Sequence, residues 1–86
     1  MPKSLEKVGD ISHYFTNISV AVVEVTAPMR LGDPIAIKGM TTNFEQTVGS
    51  MQIEGENIEE AKAGDSIGLK VVDRIRKGDV VYRLVE

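Results

Sequence analysis

Apolar residues recur at every second position over short stretches of this chain, and no stripe of period 3.6 runs far enough for a helix of several turns. Ile11, His13 and Phe15 share one face of a first predicted strand over about residues 7–15, and Thr16-Asn17 reads as the turn that ends it. Ser19 to Thr26 forms a second strand. It is apolar on both faces up to Val23, the mark of a strand buried on both sides or of a sheet closing on itself. Pro28 ends that run. Ile35 and Ile37 define a third, short strand with Ala36 and Lys38 facing the other way, and Gly39 to Asn43 is a loop. Along the fourth strand, Phe44 to Ile53, the apolar phase slips from Phe44 and Val48 to Met51 and Ile53. One inserted residue produces such a slip, which predicts a β-bulge near Gly49 and Ser50. Asn57-Ile58-Glu59-Glu60 has the form of a capping box, but Gly64 follows too soon for more than a single helical turn. Ile67, Leu69 and Val71 alternate in a fifth strand, and Val80, Tyr82 and Leu84 in a sixth. Six short strands with almost no helix predict an all-β barrel or sandwich.

A tetrapeptide of the form basic-x-Gly-Asp punctuates these strands. It stands at Lys7-Val8-Gly9-Asp10, Arg30-Leu31-Gly32-Asp33, Lys62-Ala63-Gly64-Asp65 and Arg76-Lys77-Gly78-Asp79, and the last three each lead directly into an apolar stretch. Glycine reaches a positive φ without a Cβ clash, and aspartate can hydrogen-bond the backbone two residues on. Gly32, Asp33, Gly64, Asp65, Gly78 and Asp79 are therefore read as structural turns. Their spacing is unequal, so they punctuate a single fold and do not mark a solenoid repeat.

With 86 residues, 42% of them apolar, the chain supports one hydrophobic core and not two. Residues 1–6 read as an N-terminal tail and 7–86 as one domain. The absence of cysteine leaves the core without disulfides or a Cys/His zinc site, and Met1 to Lys7 has no apolar stretch of a signal peptide. A cytoplasmic chain with no membrane segment is the expectation. No Gly-x-x-x-x-Gly-Lys-Ser/Thr loop is present, so nucleotide binding by this chain is not expected. Catalytic chemistry is also not expected. His13 is the only histidine, and Ser12 beside it points to the opposite face of a strand, so they cannot form a triad. His13 is read as a partly buried residue of the sheet. Glu54, Glu56, Glu59 and Glu60 lack the frame of a calcium loop, and no cofactor or metal is expected.

The net charge of −3 opposes bulk binding to nucleic acid, but its distribution is uneven. Acids dominate between Glu45 and Lys62, whereas Lys70, Arg74, Arg76, Lys77 and Arg83 make the last stretch basic. Arginine forks match phosphates and aromatic rings stack on bases, so these five residues, with Tyr82 among them, are the candidate RNA contacts.

The order of motifs resembles domain two of elongation factor Tu and its archaeal and eukaryotic counterparts. The segments concerned are Arg30 to Gly39, Val48-Gly49-Ser50-Met51, Glu60 to Leu69 and Ile75 to Val81. Ala-x-x-Gly-Asp-x-x-Gly-Leu, here Ala61 to Leu69, and Arg-x-Gly-Asp-Val, here Arg76 to Val80, are the most specific parts. The resemblance covers about residues 7–85 and is nearest to small stand-alone elongation-factor-like chains. It implies a closed six-stranded Greek-key β-barrel that contacts RNA or the ribosome. No part of the chain corresponds to a GTPase domain or a third domain, so no GTP-dependent role follows. A similar barrel is also the C-terminal domain of collagenase-like peptidases. That similarity implies the alternative function, a protein-interaction or accessory domain serving a separately encoded peptidase or modifying enzyme of that type.

Overall fold

The computed structural model describes residues 4–85, and every element in that range is a strand. β1 (Ser4–Phe15) and β2 (Val20–Val25) form a long antiparallel hairpin. β1 begins before the expected residue 7, because Ser4, Leu5 and Glu6 continue the ladder opposite Val85, Leu84 and Arg83. On β2 the expected two-sided burial is partial: Ala21, Val23 and Val25 are buried, while Val20 and Val22 are half-buried. The register of β1 against β2 shifts between Ile11 and His13. An extra residue there reverses which side chains face inward, so Ile11 is buried, Tyr14 packs against the core, and His13 and Phe15 face outward. This corrects two expectations: Ile11 does not share a face with His13 and Phe15, and His13 is exposed.

The remaining strands are β3 (Met29–Arg30), β4 (Pro34–Lys38), β5 (Asn43–Thr47), β6 (Met51–Ile53), β7 (Glu56–Ile58), β8 (Glu60–Ala61), β9 (Ser66–Lys70) and β10 (Val80–Val85). Eight of them make one sheet in the order β5-β4-β10-β1-β2-β9-β6-β7, and β3 pairs with β8 in a separate two-stranded ribbon. The large sheet wraps around a single core that includes Val8, Val23, Met29, Ile35, Leu69 and Val81.

The expected closed six-stranded barrel is not what forms. Among the described residues the strands number ten, and the sheet's outer members β5 and β7 share no ladder. The chain leaves β5 at Thr47, crosses through Val48 to Ser50, and joins β9 as β6. What the sequence presents as one strand with a bulge near Gly49 and Ser50 is thus two strands, β5 at one edge of the sheet and β6 next to the strand at the other. Between β5 and the end of β9 the gap is spanned by a side chain. Gln46 Nε2 donates to the Lys70 carbonyl at 2.9 Å, and the Val72 N–H donates to Gln46 Oε1 at 2.9 Å. A direct ladder would bring the backbones to about 4.8 Å. A glutamine amide between them supplies the same donor and acceptor while holding the strands further apart.

The capping-box segment is also extended and not helical. Glu54 (φ 51°) and Gly55 (φ 82°) are the two central residues of a tight β6–β7 hairpin, the positive-φ pair that a type I′ turn requires. Asn57, the expected cap, instead accepts a hydrogen bond from Gln52 Nε2 across that hairpin at 3.0 Å. Cross-strand pairing outweighs the local helical signal.

Three of the four basic-x-Gly-Asp segments share one geometry. Gly32, Gly64 and Gly78 sit at φ of 88°, 97° and 95°, each at the third position of a type II turn. The Asp33, Asp65 and Asp79 amides close these turns onto the carbonyls of Arg30, Lys62 and Arg76 at 3.2, 3.0 and 3.1 Å. Each carboxylate then reaches back three residues, where its Oδ2 accepts the N–H of the same basic residue at 2.8, 2.9 and 2.8 Å. Sequence reasoning has the aspartate bonding forward by two residues, so the direction is reversed. A further pair of bonds stitches each turn to a buried apolar residue. The glycine N–H donates to the carbonyl of Val48, Val25 or Ile11, and the N–H of that residue donates to the aspartate carbonyl, all within 2.8–2.9 Å. The fourth segment differs. Gly9 lies inside β1, where a Cβ would stand 2.5 Å from Val23 Cγ1, and Lys7 pairs with Asp10 at 3.1 Å.

Two outcomes are expected from this architecture. No atom lies within 4 Å of the Cβ position at Gly64, so Gly64→Val tests backbone strain alone. It should cost about 1–3 kcal/mol in chemical denaturation, and an unchanged midpoint would show the turn to be unstrained. Gln46→Ala removes both bonds across the gap and should cost about 1–3 kcal/mol, with faster amide exchange at Val72. Unaltered exchange at Val72 would mean that the amide does not hold the seam.

A candidate binding face at the basic loop

The segment from Val71 to Asp79 joins β9 to β10 and contains no strand of its own. It is nonetheless anchored. Val71 and Ile75 are buried, the Val71 N–H donates to the Ser19 carbonyl at 3.0 Å, and the Gly78–Asp79 turn is stitched to Ile11. Asp79 is itself buried. Its Oδ1 would lie 1.9 Å from a Cβ at Gly39, so the glycine in the β4–β5 loop is the space into which the carboxylate packs. This loop therefore lies against both the β1–β2 turn and the β4–β5 loop.

Of the five candidate basic residues, the fold brings three together. Arg74, Arg76 and Lys77 are exposed on the loop, and among the described residues their side chains make no hydrogen bond or ion pair. The two nearby acids are committed to backbone: Asp73 Oδ1 accepts the Arg74 N–H at 2.7 Å, and Asp79 Oδ2 accepts the Arg76 N–H. The guanidinium groups are left facing solvent. Lys70, at the end of β9, donates from Nζ to the Ile18 carbonyl at 2.8 Å and so lies beside this group but is already engaged. Arg83 does not join it. It lies in β10 and its Nη2 donates to Glu6 Oε1 at 2.9 Å across the β1 ladder, while its Nε is buried without a partner. Tyr82 is also in β10, opposite Lys7 and Ala36, and is not part of the loop.

Three shallow grooves adjoin Arg76. One of about 320 Å³ runs between Asp73, Arg74, Arg76 and the Thr41–Phe44 stretch. A second, of about 530 Å³, lies against His13 and Tyr14, and a third, of about 380 Å³, against Met40 and Thr41. Sequence reasoning misses this contribution from the β4–β5 loop, since Met40 to Asn43 carries no charge or motif and enters only through the fold. The acidic stretch behaves differently. Arg30 Nε pairs with Glu60 Oε2 at 2.9 Å in a fourth groove with Leu31 and Glu59. The hydrogen bond and charge of Glu60 push the Arg30 guanidinium above its ordinary value, with Asp33 adding to the effect and desolvation opposing it. No three His, Asp or Glu side chains converge among the described residues, and no described helix is long and apolar enough to cross a membrane.

No protein-family profile matches the chain. It is 38% identical over 81 residues to an uncharacterised protease of Methanocaldococcus jannaschii, an overlap of 93% of this chain and 20% of that one. It is 33% identical over 78 residues to a collagenase of Porphyromonas gingivalis, covering 88% of this chain and 22% of the collagenase. Its fold matches the C-terminal domain of a Geobacillus thermoleovorans protein described as a U32 peptidase, with a TM-score of 0.86, 21% identity and 91% of each chain covered. A selenomethionine form of that domain gives 0.84 at 22% identity, covering 88% of this chain and 96% of that one. The similarity is to peptidases. This chain spans about a fifth of the length of the curated relatives it matches.

These findings correct the resemblance to domain two of elongation factor Tu: the relatives are a protease and collagenases, and the solved neighbour is a peptidase domain. A physical reason for the misreading lies in the motifs that carried it. Gly64-Asp65 and Gly78-Asp79 are turns, and Ile67, Leu69 and Val80-Val81 are sheet positions, so they report strand entry and burial. Such positions are shared by folds with different ancestry and different tasks.

Removing the Asp79 carboxylate tests how the loop is held. Asp79→Ala should cost about 1–3 kcal/mol and expose the Arg76 amide to exchange, and Asp79→Asn, which keeps an acceptor, should cost less. Equal stability of both variants with the parent would show that the loop is held by Ile75 and the backbone stitch alone.

Proposed function

We propose that this chain is a non-catalytic accessory domain of a collagenase-like peptidase of the U32 type. The observation that carries the reading is a coincidence of extents. The chain matches a fifth of a protease in sequence, and nearly all of it matches, in fold, a peptidase's C-terminal domain. A domain of this size contributes to proteolysis by binding. Holding a substrate or a catalytic domain nearby raises the effective concentration of one for the other without supplying any reacting group. The arrangement of side chains supports that role, since Arg74, Arg76 and Lys77 are exposed beside shallow open grooves with Met40 exposed on the adjoining β4–β5 loop.

The test mixes the purified chain with the catalytic portion of the collagenase-like peptidase of the same organism and follows hydrolysis of gelatin and of short peptides. The chain should associate with that portion and change kcat/KM for gelatin several-fold, while hydrolysing nothing alone. Hydrolysis by the chain alone, or a mixture with neither association nor altered kinetics, would overturn the reading.

A further inference from the structure

The far end of β1 presents aromatic rings to water. Its register shift between Ile11 and His13 inserts one residue, which brings Tyr14 against the core and turns His13 and Phe15 outward. Bulges re-aim side chains in this way beside binding sites. Both outward rings are exposed, with centroids 5.2 Å apart and planes tilted by 53°, so they are not stacked flat on each other.

The three unpaired cations stand beside these rings. Of the three grooves that adjoin Arg76, the one of about 530 Å³ is lined by His13, Tyr14 and Thr16 from β1 and its turn, and by Arg74, Arg76 and Lys77 from the basic loop. Among the described residues no carboxylate lines it. In the groove of about 320 Å³, by contrast, Asp73 stands among the arginines, and the one of about 380 Å³ has Asp79 and only two of the cations. Positive charge without an opposing acid therefore meets flat rings in one open groove.

We propose that this groove binds an unpaired strand of nucleic acid, with Arg74, Arg76 and Lys77 on its phosphates and His13 and Phe15 stacked on its bases. The openness of the groove selects a chain over a small anion. All three cations are exposed, so a lone phosphate or carboxylate gains little from any of them in water, whereas a strand sets successive phosphates against all three. The rings select nucleic acid over an acidic polypeptide. Every base offers a planar face to histidine, phenylalanine or a guanidinium, and a glutamate or aspartate side chain offers none. Duplex is disfavoured because its bases are already stacked on one another. The chain's net charge of −3 keeps the binding local to the groove and weak. The proposal is independent of the accessory reading above, which rests on the relatives and not on this groove.

Fluorescence anisotropy with a labelled oligouridylate of about ten nucleotides tests the groove. The strand should bind the intact chain at low salt, with a log–log salt slope of about −2 for three phosphate contacts. Oligothymidylate of the same length separates a deoxyribose ligand from a ribose one; binding of either supports the groove, and the preference assigns the sugar. Replacing Arg74, Arg76 and Lys77 together by Ala should lower affinity about tenfold and flatten the slope, whereas His13→Ala with Phe15→Ala should lower it about fivefold and leave the slope unchanged. Lys62→Ala should alter neither. The chain contains no tryptophan, so Phe15→Trp supplies a single reporter whose fluorescence should fall as a base stacks on it, a signal that neither lost folding nor a purely electrostatic contact gives. An unchanged reporter at saturation overturns the proposal. So does equal affinity of the parent and either multiple variant, or tighter binding of a duplex or of a glutamate-rich peptide than of the strand. A mixing experiment without association removes the accessory reading and leaves this groove untouched, since no nucleic acid enters it.

Discussion

Each Gly-Asp turn presents one N–H and one C=O side by side, and a buried residue of the core takes both. Val48, Val25 and Ile11 occupy that place in the three turns, and each is at most 3% exposed. The constraint matters because this fold is made of short strands with many ends. Backbone groups at strand ends near a core must find partners or carry a desolvation cost of about 1–3 kcal/mol. The turn solves this with four hydrogen bonds among its four residues and one core residue, since the aspartate satisfies the turn's first N–H while its backbone satisfies the core residue. Connections that would otherwise drift, above all the Val71–Asp79 loop, are thereby tied to the inside of the sheet.

The same economy of partners explains why the sheet stays open. Closing it would require β5 to meet β9 over a ladder, yet the chain between β5 and β6 is spent on Val48, which is committed to the Gly32-Asp33 turn, and on Ser50, whose carbonyl accepts the Lys70 N–H at 3.3 Å. Gln46 supplies the missing donor and acceptor from its side chain. Unpaired edges invite association with other strands. Here the β5 edge is occupied by that amide, and the β7 edge is three residues long and carries Glu56.

The class of the fold was legible in the sequence because alternation is a local signal: Ile35 and Ile37, and Ile67, Leu69 and Val71, bury as their spacing predicts, whereas in β10 the buried residue is Val81 and the expected face of Val80, Tyr82 and Leu84 is only half-buried. What failed was information that lies between segments. The phase slip at Gly49 is the same whether a strand bulges or switches edges, and only the Val48–Asp33 pairing distinguishes the two. The bulge in β1 reverses the side of His13 without any glycine or proline to mark it. Asn57 carries a helical cap pattern, but a Glu-Gly turn one step earlier places it in a hairpin, and that turn lacks the usual asparagine signal. For the candidate site, the cluster Arg74, Arg76 and Lys77 was visible as charge. Arg83 was wrongly grouped with it, since nearness along the chain does not show that a strand carries the residue to Glu6.

The loop's positive character follows from three bases against two acids, and from where the fold places those acids. The chain as a whole is negative at −3, and the loop itself holds Asp73 and Asp79. The Asp79 carboxylate accepts the Arg76 N–H through the geometry that builds the turn, and Asp73, outside the turn, accepts the Arg74 N–H, so among the described residues neither is bonded to the side chain of an arginine beside it. Asp79 is buried with its carboxylate turned toward the backbone, whereas Asp73 stays exposed beside Arg74 and Arg76, whose guanidinium groups face water. Screening over about 8–10 Å at physiological salt then separates this face from more distant acids such as Glu54 and Glu56 on the β6–β7 hairpin. An anion arriving at the loop meets three cations with one exposed acid, Asp73, beside them, although the net charge of −3 repels it at long range.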